Sequence, residues 1–160
     1  MEGISPTADF AGYIKYLFNF AAATIGLLAL MVAAVAAGFE AALRAVRAAS
    51  ERLPGPSWIR PAVGGALLGA LVVPTLWLSA RPGEAGRGYG ILGGGYGAVQ
   101  LAITGAGGLP DGWAGVRLLL VLCGVKLVAS ALTIGSGGSA GDFAPSLALG
   151  GLFGGAFGRI

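Results

Sequence analysis

Histidine is absent from the 160 residues, cysteine occurs once, and charged residues make up only 11%. A lone cysteine, Cys123, supports neither a disulfide framework nor a metal set, and within its apolar segment it reads as a core residue. The serines, threonines and lysines stand at no nucleophile–base spacing, so no enzyme is expected. An average soluble domain carries about 25% charged residues. At less than half of that, a soluble fold is not expected. Ten basic and seven acidic residues leave a net charge of +3, too little for a nucleic-acid surface. Residues 1–15 hold Glu2, Asp9 and Lys15 and lack the basic leader of a secretory signal, so no cleavage is expected.

What the chain does have is apolar bulk and glycine. Hydrophobic residues make up 56%, the mean hydropathy is +0.82, and 31 glycines sit among Leu, Val and Ala, where small residues let membrane helices approach closely. The pattern predicts an all-α membrane protein with helices at about 10–52, 58–80, 96–105, 112–134 and 143–160. Tyr16 to Phe39 carries no charge over 24 residues. As a helix that is about 36 Å, enough to cross a hydrocarbon core of roughly 30 Å. Beyond it, Glu40 stands four residues before Arg44 and Arg47 three after, neighbours on one helix face, which reads as a solvated helix end with an ion pair.

Leu53 to Ser57, LPGPS, breaks the helix. A second charge-free run of 20 residues, Pro61 to Ala80, follows, with Gly65 and Gly69 as a small-residue packing face and Pro74 as a bend. Arg44, Arg47, Arg52 and Arg60 flank the linker, against Arg81 and Arg87 beyond the second run. The positive-inside rule therefore puts the linker in the cytoplasm and the start of the chain outside. Such a start without a leader fits an incomplete membrane domain.

Gly88, Gly90 and Gly93 match a dinucleotide fingerprint, with Asp111 at a ribose-contact distance, but that pattern has meaning only between a strand and a helix. Here it follows a membrane helix. Tyr96 to Thr104 is too short to span and reads as a re-entrant helix. In the next helix Arg117, near the start, extends to the interface. Lys126 lies nine residues before Gly135, about 13 Å along a helix. Two readings are open for it: a structural partner for a carboxylate or carbonyl, which is preferred, or a group that raises the potential for an anion.

Gly135 to Gly158 reads GSGGSAGDFAPSLALGGLFGGAFG. Pro145 marks a helix start, because the first N–H groups of a helix have no internal partner and a proline there costs no hydrogen bond. Those free N–H groups, with the aligned peptide dipoles, amount to about half a positive charge and attract an anion without a basic side chain. In so apolar a chain this end is expected within the membrane. Gly150, Gly154 and Gly158 then recur every four residues, and helix packing is preferred over a close approach at a pore.

This stretch resembles the signature of the CLC chloride channels and chloride/proton exchangers, whose G-x-F-x-P motif matches Gly141, Asp142, Phe143, Ala144 and Pro145. GSGGS before it and PSLALGG after it extend the match, and the helix order from about Phe10 to Ile160 is similar to the second half of that family. The resemblance implies tilted and partial transmembrane helices, with an intramembrane glycine-rich loop opening the last one. It implies that the amides of Gly141 to Pro145 bind chloride, with Ser136, Ser139 and Lys126 lining the pathway. Chloride is then the transported ion and no cofactor is needed. The implied whole is a multi-pass protein of a bacterial inner (cell) membrane, partnered by the bilayer and the remaining half of the transport domain, and homodimeric in full length. Its function would be part of a voltage-gated-type chloride channel or a chloride/proton exchanger.

Two departures qualify that picture. Asp142 puts a carboxylate where the family is often apolar, and a unit charge roughly 6 Å from an anion repels it by about 3 kcal/mol at an effective dielectric near 20. N-capping by the carboxylate is the preferred way out, ahead of neutralisation by Lys126 or protonation. The G-x-E-x-P gate stretch is absent, and none of the four tyrosines follows the last helix. Five hydrophobic segments are too few to enclose the family's pathway. The alternative is a small-residue membrane scaffold or assembly subunit, distinguished by the lack of an anion at the Asp142 and Phe143 amides.

Overall fold

The structure, a computed structural model, describes residues 6–79, 93–105 and 109–159, with the backbone alone at 6–9, 11 and 75–79. Among these residues are five helices and no strand: α1 Pro6–Glu51, α2 Ile59–Ser79, α3 Tyr96–Thr104, α4 Gly112–Gly135 and α5 Phe143–Phe157. The chain divides between Ala34 and Val35 into two units, each taken by itself.

The first unit is the apolar part of α1. Its aromatic and aliphatic side chains point outward, with Phe18 exposed at 74% and Leu30 at 73%, as on a surface solvated by lipid chains. Thr24 spends its hydroxyl on the Phe20 carbonyl at 2.9 Å, the usual way to keep a polar group satisfied where water is absent. Helices α1, across Gly12–Glu51, and α4 are each long and apolar enough to cross a membrane.

The second unit is built around α4, which packs against α2 and α5, while α3 packs against α5. Val116, Leu119 and Leu152 are almost completely buried at that junction. Buried positions of α4 recur at Val116, Leu119, Cys123, Lys126 and Ser130, the three-to-four spacing of one helix face, which sets Lys126 on the core side. Cys123 is indeed core, its thiol turned to the Leu149 carbonyl at 3.8 Å.

Close packing uses different glycines from those the spacing picked out. A Cβ at Gly155 would stand 2.8 Å from that of Ala102, and one at Gly151 would stand 3.0 Å from Val99, whereas Gly150 and Gly154 meet nothing within 4 Å. On α2 the close contact is Gly64 against Ser136, and Gly65 and Gly69 are open. Both ladders are therefore corrected by one residue: a repeat of four defines a stripe, and only the partner's position selects which stripe is covered.

Element ends shift for local reasons. Pro74 lies inside α2, which continues to Ser79. The last helix stops at Phe157 rather than 160: the Gly158 amide still bonds the Gly154 carbonyl, but the next amide, of Arg159, tightens to the Ala156 carbonyl three residues back at 3.2 Å. Ala80, Arg81, Arg87, Gly88 and Gly90 lie outside the described residues. The Glu40–Arg44 ion pair forms at 2.8 Å with both side chains about two-thirds exposed, so it adds little stability.

Candidate functional site

The loop before α5 is shaped by glycine. Gly137 adopts φ +92°, and the Gly138 amide closes α4 on the Thr133 carbonyl at 2.9 Å. A Cβ at Gly138 would sit 2.5 Å from that carbonyl oxygen, so no other residue fits. The backbone then turns through Ala140 into α5.

At that opening the first backbone bond runs from the Ser146 amide to the Asp142 carbonyl at 3.0 Å, and the Ser146 hydroxyl donates to the same oxygen at 2.7 Å. Among the described residues the N–H groups of Asp142, Phe143 and Ala144 meet no acceptor. Asp142 does occupy the N-cap position, but its side chain makes no cap bond. This overturns the capping expectation. A capping aspartate needs extended backbone so that its carboxylate folds back over the first turn, whereas Asp142 is already helical at φ −86°, ψ −16°.

A cavity of about 350 Å³ lies beside this opening, lined by Gly141, Ala144 and Pro145 together with Lys126, Ser130 and Gly93. Lys126 is 3% exposed and its Nζ donates to the Gly93 carbonyl. That contact ties α4 to the turn before α3, where Gly95 adopts φ +79° with Ala148 and Lys126 packed close around it. On the other side, Asp142 and Gly141 border a second cavity of about 470 Å³ with Glu40, Arg44 and Arg47. Lys126 and Asp142 thus line different cavities, and the alternative in which Lys126 neutralises Asp142 is not met: among the described residues the one ion pair is Glu40–Arg44.

Of the residues singled out from the sequence, Gly141, Ala144, Pro145 and Lys126 come together at the first cavity. Asp142 and Phe143 face outward, Phe143 at 76% exposure. Ser136 is buried, donates to the Thr133 carbonyl at 3.3 Å and lines a separate cavity. Ser139 is exposed and borders neither cavity at the motif. Ser130 and the Gly93–Gly94 turn were missed. Ser130 had a signal, since it stands four residues after Lys126 on the same helix face; the glycine turn had none short of the tertiary contact.

These features define an all-helical membrane protein in which the start of one helix, its first amides free of acceptors among the described residues, lies between two cavities, one of them walled by a buried lysine. The family model for voltage gated chloride channels matches residues 6–160, nearly the whole chain, and the chain belongs to that family. No curated protein and no solved structure matches it.

Proposed function

We propose that this chain forms part of a chloride pathway across a cell membrane, with chloride held by the N–H groups of Asp142, Phe143 and Ala144 at the start of α5. The observation that carries the proposal is that those three amides meet no acceptor among the described residues. They coincide with the positive end of the α5 dipole, which favours an anion. Lys126 acts from the cavity wall, adding positive potential while its bond to Gly93 holds it in place.

The outward-facing side of the motif, with Phe143 exposed, is the face that the remaining half of the transport domain covers, and the full assembly is a homodimer in a bacterial inner membrane. Channel and proton-coupled exchanger are both compatible with this half-site. A scaffold without transport is the competing reading, favoured by the close contacts at Gly64, Gly151 and Gly155.

Amide-selective ¹⁵N labelling at Asp142, Phe143 and Ala144 in the membrane-reconstituted assembly tests the proposal. Chloride-dependent shifts confined to these amides support it. Amides that ignore chloride in an intact assembly overturn it and leave the scaffold.

A further inference from the structure

A third cavity, of about 220 Å³, sits where the C-terminal end of α1, the start of α2 and the end of α4 meet. Its character differs from the first. Arg47 and Arg60 line it together with Glu51 and the hydroxyl-bearing Ser50, Ser57 and Ser136. Ser50 and Ser136 are buried, at 8% and 4% exposure. The Nε of Arg60 is shut away from solvent with no hydrogen-bond partner among the described residues. A buried guanidinium N–H left without an acceptor is costly, and such groups are almost always satisfied by protein, water or ligand. Neither arginine forms an ion pair among the described residues, since the one pair present is Glu40–Arg44. Arg60 and Pro61 bring the first turn of α2 to the cavity wall.

We propose that this cavity binds a phosphate group. Two guanidinium forks supply directed N–H donors and the hydroxyls of Ser50 and Ser57 supply more, whereas the Ser136 hydroxyl is spent on Thr133 and, in the first turn of α2, the Ile59 and Ala62 amides bond Pro56 and Trp58 and Pro61 has no N–H. That set matches the several oxygens of a phosphate, which a spherical halide does not have. Two arginines against one glutamate leave a net positive site. The same phosphate chemistry is available from an anionic phospholipid headgroup and from soluble phosphate, and the breaker Leu53–Ser57 at the charged end of α1 lies where either could arrive. The site shares Ile134 with the first cavity and Arg47, Ile134 and Gly135 with the second, whereas Arg60, Ser50, Ser57 and Ser136 line it alone, and none of its lining residues belongs to the Gly141–Pro145 motif.

The test uses the full chain at constant saturating chloride, which keeps the first site occupied throughout. Inorganic phosphate is titrated in neutral detergent and followed by ³¹P NMR. In parallel, retention of phosphatidic acid from phosphatidylcholine nanodiscs is counted by native mass spectrometry. Wild type is expected to bind in at least one arm. Arg60→Gln and, separately, Arg47→Gln each weaken binding about tenfold or more, as loss of one partner of a desolvated charged contact does. Arg52→Gln, an equal loss of charge in the same linker but outside the cavity, leaves it within about twofold. Binding of inorganic phosphate that displaces phosphatidic acid identifies a site for the free group; lipid retention that phosphate does not displace identifies the headgroup. Wild type that binds neither probe, which requires no variant to fold, overturns the proposal. So does equal weakening by Arg52→Gln and Arg60→Gln.

Discussion

Asp142 carries a negative charge to the mouth of a site proposed for an anion, yet its carboxylate makes no cap bond with α5. Its replacement therefore removes repulsion without removing a structural contact. Asp142→Asn is expected to tighten chloride binding between about threefold and a hundredfold, the range that a unit charge roughly 6 Å away spans from aqueous to protein-like dielectric. Its unfolding midpoint should stay with that of wild type. Chloride titration by calorimetry, beside a thermal melt, reads both; weaker binding would mean that the carboxylate positions the amides after all. Lys126 is the opposite case, because its Nζ both lines the cavity and satisfies the Gly93 carbonyl. Lys126→Met should weaken chloride binding roughly tenfold and also lower stability, since the bond that ties α4 to the Gly93 carbonyl is lost. Loss of stability with unchanged chloride affinity would reduce Lys126 to its structural role alone.

At the scale of elements, the packing of α5 on α3 depends on which glycine faces the partner. Gly155→Val would drive side-chain atoms into Ala102, whose Cβ lies 2.8 Å from the position of an added Cβ. The expected cost is about 1–3 kcal/mol or more, as for other overpacked cores. Gly154→Ala meets nothing within 4 Å and should be neutral or stabilising by up to about 1 kcal/mol through helix propensity. Detergent-solubilised variants compared by thermal unfolding give the order directly, and an inverted order would mean that α5 presents its other face to α3. Ahead of α3, Gly95→Ala combines a left-handed φ with a Cβ 2.7 Å from that of Ala148, so it should loosen the turn that anchors Lys126 and lower the melting midpoint.

For the whole molecule the question is how the chain lies in the bilayer. The arginine-rich linker between α1 and α2 should face the cytoplasm. With Pro54→Cys in a Cys123→Ala background, a membrane-impermeant maleimide should label inverted vesicles and spare right-side-out cells; the reverse pattern would invert the topology. Much of this architecture was readable without coordinates. Composition dictated a membrane environment, charge-free runs located the long helices, and Gly141 to Pro145 marked where a helix opens with free amides, because hydrophobicity, proline and the unpaired first turn are local properties of a chain. Tertiary structure alone decided that Asp142 is helical and caps nothing, that Lys126 answers the Gly93 carbonyl across 33 residues, and that Gly151 and Gly155, not their neighbours, carry the packing. Those outcomes depend on how one helix is rotated against another, a quantity set by the sum of all contacts between them and written in no single stretch of sequence.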